Sequence, residues 1–448
     1  MSDQVKTPCD TIINAGWVLP IAPRNIVLEE ASIAIGGETI LAIGARGEIE
    51  AGYVAQSNLQ LPDHIVLPGL VNAHGHAAMS LFRGFTEDLP LQAWLKDSIW
   101  PLESRLLTAE FVRDGTRLAL AEMIKAGITC FSDMYFFPEV VAREAQAAGL
   151  RTQIAFPVIK FANAWSTSAA DALHKGLALH DTYRNDNLVH VAFGPHSTYS
   201  VSEADLNKVM MYAEELDLNI HIHLHENAQE VTDAHNRIGR SWLVYLRELG
   251  MLSPRLQAVH ATQLTPDEIA LLAEAGVQII HCPRSNLKLA SGICPTNQLL
   301  TAGVNVALGT DGAASNNSLD LLGEARLASL LAKHLEADAA VLPETKALEM
   351  ATLGGARALG LGDKIGSLEP GKQADLIAVD VSEPRFQPLY DPIAQLIHTD
   401  AGSAVSHAWV AGNAVLIEGL LATLDEASVV AAAKHWQATI NRTCELPA

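Results

Sequence analysis

Between residues 65 and 310 the chain alternates short β-branched, apolar runs with longer segments, most of them amphipathic at helical spacing. The runs are IVLPGLVNA (65–73), ITCFSDM (128–134), RTQIAFPV (151–158), LVHVAFGP (188–195), LNIHIHL (218–224), LQAVHA (256–261), VQIIHC (277–282) and VNVALGT (304–310). Helix start and stop signals fall between them. Thr108 precedes a segment in which Phe111, Leu118, Met123 and Ile124 lie near helical spacing, and Gly127 closes it. Ser202 and Thr265-Pro266 open two further helical patterns, and Gly276 ends the second. Eight strands alternating with helices predict a (β/α)8 TIM-like barrel, which usually takes about 250 residues. An open doubly wound sheet is the competing fold, but no GxGxxG turn follows the first run.

The two ends read differently. Residues 10–64 and 366–420 carry short alternating runs punctuated by turns, such as ASIAIGGETILAIG and SAVSHAWVAGNAVLIEG. That is the pattern of a β-sandwich. Neither piece has enough strands for a core of its own. The expectation is therefore one discontinuous sandwich, residues 1–65 plus 366–448, ending in a helix over EASVVAAAKHWQATINRTC. The barrel would fill residues 66–365.

The 17 histidines do not scatter at random over this plan. His74 and His76 follow the first strand, His196 the fourth, His223 ends the fifth, His260 ends the sixth, and Asp311 follows the eighth. The C-terminal ends of all barrel strands meet at one mouth, where active sites form. In an extended strand alternate side chains share a face, so the two imidazoles of a His-x-His pair can reach one ion. Imidazole and carboxylate suit zinc and similar divalent metals. The stretch HIHLHENA (221–228) places His221, His223 and His225 on one face by the same period. Depth along the barrel separates them. His221 lies a layer below the mouth as a hydrogen-bonded core residue, and His225 is past the strand end.

Charge and cysteine usage narrow the partners. A formal net charge of −21 repels phosphate backbones and anionic lipid, so nucleic acid and membrane are excluded as expected partners. Five scattered cysteines without CxxC spacing fit a reducing compartment. No apolar run reaches the roughly 18 residues of a membrane span, and the first residues lack the pattern of a secretory leader. The expectation is a cytoplasmic protein acting on a small molecule, and possible self-association is left open.

VLPGLVNAHGHAAMSLFRG, the HLHE segment, AVHAT, HCPRSNLKLASG, LGTDGAASNN and GSLEPGKQADLIAVD, in that order, together resemble the amidohydrolase superfamily. Within it the chain looks most like the deaminases of 5′-methylthioadenosine and S-adenosylhomocysteine. The resemblance implies one divalent metal per subunit, zinc by preference, held by His74, His76, His223 and Asp311, with a water as the remaining ligand. Members with two metals bridge them with a lysine at the end of strand four; GPHSTYS offers His196 and no lysine there. Asp311 would also accept the water's proton, and His260 would hydrogen-bond the developing oxyanion. Glu226, three residues after His223, is suited to carry protons to the ring nitrogen and the leaving amine. Zinc deaminases of an unrelated fold also use a non-ligating glutamate for that task.

The same resemblance implies a purine nucleoside substrate. Glu103 would accept hydrogen bonds from both ribose hydroxyls, and Trp94 and His196 would contact the nucleoside. Arg83 and NLKLASG (286–292) are further pocket candidates. Methylthioadenosine, S-adenosylhomocysteine and adenosine all remain open as substrates. Two rivals stand beside this reading. One is a deaminase or hydrolase of guanine or a triazine on the same scaffold. The other is a non-catalytic scaffold protein, which would be expected to have lost metal ligands that are all present here.

Overall fold

The computed structural model describes residues 6–23 and 26–445. The eight barrel strands, numbered in chain order, are β1 (Leu70–Gly75), β2 (Ile128–Asp133), β3 (Arg151–Val158), β4 (Val189–Pro195), β5 (Ile220–Leu224), β6 (Leu256–His260), β7 (Gln278–His281) and β8 (Val306–Leu308). They form one parallel sheet in sequence order. The seam between β8 and β1 is stitched at the strand ends. Thr310 donates its N–H to Asn72 Oδ1 at 2.9 Å, and Asp311 donates its N–H to the His74 carbonyl at 3.1 Å. The expected (β/α)8 barrel is what the chain forms.

The helix signals act where the sequence places them. Thr108 caps Ala109–Lys125 by accepting from Phe111 N–H, Ser202 caps Glu203–Leu216, and Thr265 with Glu268 forms a capping box on Pro266–Ala275. Phe111, Met123 and Ile124 are buried.

Strands from both ends build a second eight-stranded sheet. Thr7–Val18, Leu28–Gly36, Thr39–Ala45 and Tyr53–Pro68 come from the N-terminal part; Leu376–Asp380, Val405–Val410, Asn413–Ile417 and Leu420–Leu421 come from the C-terminal part. Tyr53–Pro68 joins the two parts through antiparallel pairing with Leu376–Asp380. The strands hydrogen-bond as one continuous sheet with a core of its own, in which Ile13, Ile33 and Ile40 pack in one cluster with Leu376, Ala378 and Trp409.

The first barrel strand begins later than its apolar run. Residues 65–68, which the pattern assigns to it, pair instead with Leu376–Val379 in the second sheet. Gly69 is the crossing point. Its N–H goes to Asp375 O at 3.0 Å, while Leu70 N–H goes to Gly127 O at 2.9 Å. A Cβ at Gly69 would lie 2.0 Å from Thr129 Oγ1, so no other residue lets the chain pass here. A continuous apolar run is equally suited to either sheet, which is why periodicity alone does not divide it.

A buried ion pair ties the two sheets together. Arg151 at the start of β3 donates from Nε and Nη2 to Asp375 at 3.0 and 3.1 Å, and from Nη1 to Asn187 O at 2.6 Å. Both side chains are fully buried. Asp375 also accepts the Ala411 N–H at 2.7 Å. Removing one partner of such a pair strands the other charge out of water, a cost of about 3–5 kcal/mol. Arg151→Met is therefore expected to lower unfolding free energy by about that amount in guanidinium titration. A loss within experimental error would refute the assignment of this pair as a structural tie.

The C-terminal helix Glu426–Glu445 packs on Ala109–Lys125. Trp436 Nε1 donates to Asp114 Oδ2 at 2.9 Å, and its ring meets Phe111 edge-on. None of the helices among the described residues is long and apolar enough to cross a membrane.

Candidate active site

His74 lies in β1 and His76 just past it, with only Gly75 between them, so both imidazoles face the mouth. Their Nε2 atoms sit 3.4 and 3.3 Å from Asp311 Oδ1, just beyond β8. His223 on β5 places Nε2 3.3 Å from Nε2 of His74. His260, at the end of β6, has its ring 5.8 Å from that of His74 and 5.5 Å from that of His223. The donor atoms of His74, His76 and Asp311 lie within 4.8 Å of one another, as do those of His74, His223 and His260. Five groups from four strands thus converge, although they span residues 74 to 311. His260 and Asp311 both hold positive φ, +74° and +60°, a left-handed conformation uncommon for non-glycine residues.

Each imidazole is held from behind by its other nitrogen. His76 Nδ1–H donates to Met134 O at 2.6 Å and His223 Nδ1–H to His196 O at 2.7 Å. His260 Nδ1 pairs with Asn286 Oδ1 at 2.8 Å, and His74 Nδ1 with His221 Nε2 at 2.8 Å. Because a carbonyl oxygen only accepts, His76 and His223 carry a proton on Nδ1, which leaves Nε2 as the atom to face a cation. Metal-binding histidines are ordinarily braced in this way. Asp311 is braced too: Oδ2 accepts from Ser285 Oγ at 2.6 Å and Ser315 Oγ at 3.1 Å, and Oδ1 from Gly312 N–H at 2.8 Å. Burial opposes its charge; in the absence of a cation a proton shared with the His74 and His76 rings holds the carboxyl well below the usual range. Nε2 of His76 and of His223, a third nitrogen on His74 whose brace can either donate or accept, and one carboxylate around a common point fit a divalent ion of the zinc type.

Glu226 stands at the edge of this cluster. Its Oε1 is 3.8 Å from His260 Nε2. Its N–H donates to Glu230 Oε2 at 2.8 Å, and its carbonyl accepts from Thr262 Oγ1 at 2.7 Å, so the backbone that aims it is pinned on both sides. Burial raises its pKa against the pull of His260. A carboxyl kept protonated more readily than usual can deliver a proton as well as take one.

Glu103 is half-buried and accepts from Tyr135 O–H at 2.5 Å. Burial pushes its pKa up to about 7, with the Tyr135 hydrogen bond opposing. Trp94, in the helical stretch between Leu91 and Leu106, is buried. The His196 ring lies 4.8 Å from that of His223, and burial, with His76 nearby, pushes it down to about 4, so it is a neutral imidazole.

Other candidates lie elsewhere. Arg83 pairs with Glu122 and donates to Asn317 O at 3.2 Å. His225 turns to Gln263 O at 2.8 Å. Asp133, at the end of β2, accepts the Ala77 N–H at 2.6 Å and so braces the backbone just past His76. Sequence reasoning missed Tyr135, Ser285 and Ser315, and it reached Asn286 only as part of a loosely held segment. Their one signal is proximity to motifs already marked, ITCFSDM, HCPRSN and TDGAAS.

The model of the amidohydrolase family matches residues 65–415. A curated 5-methylthioadenosine/S-adenosylhomocysteine deaminase of Teredinibacter turnerae is 47% identical over 431 residues, 96% of this chain and 98% of the relative. One of the same name from Saccharophagus degradans is 46% identical over 435 residues, 97% of this chain and 98% of the relative. Among solved structures, an adenosine deaminase from Xanthomonas campestris with bound zinc superposes with a TM-score of 0.97 at 45% identity, covering 98% of this chain and all of that one. An atrazine chlorohydrolase from Arthrobacter aurescens complexed with zinc gives a TM-score of 0.88 at 25% identity, covering 95% of this chain and 99% of that one.

Proposed function

The chain belongs to the amidohydrolase family, and from that premise we propose that it hydrolytically deaminates 5′-methylthioadenosine, S-adenosylhomocysteine or both, giving the inosine analogue and ammonia. The observation that carries this reading is the Glu226 carboxyl beside His260 at the rim of a braced donor cluster. Near full-length likeness to deaminases of these nucleosides supports it.

His74, His76, His223 and Asp311 would hold one divalent cation per subunit, zinc by preference. When bound, such an ion lowers the pKa of a water from 15.7 toward about 7. The remaining chemistry falls to the chain's own side chains. Asp311 takes the proton released by the attacking water. His260 steadies negative charge developing on the entering oxygen at C6. Glu226 protonates the adjacent ring nitrogen as the C6–O bond forms. Glu226, now ionised, carries the proton of the new C6 hydroxyl to the exocyclic amine. The C6–N bond breaks, ammonia leaves with C6=O in its place, and the proton on Asp311 resets Glu226. Glu103 accepts from the ribose 2′- and 3′-hydroxyls, Trp94 covers the pocket, and His196 contacts the nucleoside.

Ammonia release from methylthioadenosine is the direct test of this reading. The triazine hydrolases resemble the chain more distantly, and Glu103 separates a nucleoside enzyme from one acting on free heterocycles. A hydrogen bond to a charged group is worth about 1.5–3 kcal/mol. Glu103→Ala is thus expected to cut kcat/KM for the nucleoside by about 10- to 200-fold or more. Turnover of free adenine or guanine, however slow, should be unchanged. Equal loss on nucleoside and free base would exclude the ribose role.

A further inference from the structure

Resting on the metal-site reading above, we propose that His221 is a positioning residue whose hydrogen-bond polarity, set from the base of the barrel, fixes which nitrogen of His74 faces the metal. His221 is fully buried, one strand step of two residues below His223 on β5. Its Nε2 lies 2.8 Å from His74 Nδ1, and its Nδ1 lies 2.7 Å from Gln257 Oε1. Of the four braced imidazoles, His74 alone has a ring nitrogen as its brace. A ring nitrogen can donate or accept, so this contact has no built-in direction.

The direction comes from two backbone carbonyls further down. Gln257 Nε2 donates to Ala358 O at 2.7 Å, and Asn219 Nδ2 donates to Leu359 O at 3.2 Å. A carbonyl cannot donate, so each amide can point only one way. Gln153 sits between them. Its Oε1 accepts from Gln257 Nε2 and from Asn219 Nδ2, each at 3.0 Å. Its Nε2 donates to Gln257 Oε1 at 2.7 Å and to Ser132 Oγ at 3.0 Å. The two carbonyls therefore dictate the same orientation of all three amides, and turning any one of them sets oxygen against oxygen.

With Gln257 Oε1 facing His221 Nδ1, that nitrogen must carry the ring proton. Nε2 of His221 is then bare and accepts from His74 Nδ1–H. Neutral His74 is left with a bare Nε2, the atom 3.4 Å from Asp311 and 3.3 Å from His223. A relay of one imidazole and three amides crosses the barrel interior and sets a ligand's tautomer without touching the reaction. A barrel interior is ordinarily filled with branched apolar side chains. The polar filling here is costly unless every member is satisfied, and the members on this path are.

Two measurements test the proposal. In protein labelled with ¹⁵N at histidine, ring nitrogen shifts, assigned by the signals lost in His221→Phe, should show His221 protonated on Nδ1 and bare on Nε2, with or without zinc. The opposite tautomer overturns the proposal; where His221→Phe does not fold, the ring signals that shift in Gln257→Met make the assignment. Zinc affinity of the apoprotein, by competition with a chelating dye, should fall about 10- to 100-fold in His221→Phe, the usual effect of losing a ligand's hydrogen-bond partner. Gln257→Met, which removes the accepting oxygen at similar volume, should fall in the same direction. Zinc binding by His221→Phe equal to wild type overturns the proposal and leaves the deaminase reading standing. Wild-type protein that takes up no divalent metal overturns both.

Discussion

Glu226→Gln is expected to lower turnover of the nucleoside by about 10²–10⁴-fold, the usual worth of a positioned general acid–base, while bound metal stays in place. Glutamine keeps the shape and both hydrogen-bonding ends but cannot hand over a proton. The residue's surroundings leave the rest of the site intact. Its backbone is fixed by Glu230 and Thr262, and its carboxyl lies 3.8 Å from His260 instead of among the donors facing Asp311. Substrate KM should move little, because the ring nitrogen is protonated during the reaction and not on binding. Metal content by atomic emission and steady-state kinetics on the same preparation decide the matter. Full activity in Glu226→Gln would remove its proton-carrying role.

His223→Ala is expected to fail differently, losing both metal and activity. His223 supplies one of the bare imidazole nitrogens and is anchored to His196 O by the other. Without it the remaining donors are His74, His76 and Asp311, with His260 as the nearest substitute. Stabilisation by a bound cation is worth several kcal/mol, and each 1.36 kcal/mol is tenfold. Loss of about 10³-fold or more in kcat/KM is therefore expected, with substoichiometric zinc. Treating wild type with a chelator should reproduce the loss, and adding zinc back should restore wild type but not His223→Ala. Retention of one metal per chain by the variant would place the ion elsewhere.

The barrel and the donor cluster were legible in the sequence for a physical reason. Strand ends carry short-range patterns, and His-x-His on a strand end fixes both the face and the height of two side chains at once. His221 was readable as a buried, hydrogen-bonded histidine below His223, but its partner was not. The contact that gives it a role comes from His74, 147 residues away in sequence, and the amide that orients it from Gln257, 36 residues away. Tyr135 escaped notice because its hydrogen bond reaches back 32 residues to Glu103 in a separate connection. The start of β1 differs from its pattern for another reason. Residues 65–73 form one apolar run, and only the close contact of Gly69 with Thr129 reveals where the chain changes sheets. The individual roles of Glu226, Glu103 and His196 came from the family resemblance and not from any local pattern.

The decisive measurement follows the ultraviolet change of adenine to hypoxanthine and the release of ammonia, using zinc-replete protein with 5′-methylthioadenosine, S-adenosylhomocysteine, adenosine and guanine in parallel. Stoichiometric ammonia and inosine-type product from methylthioadenosine or S-adenosylhomocysteine, with guanine untouched, is the expected outcome. Turnover of guanine alone, or of none of the adenosine derivatives, would show that the site serves a different substrate.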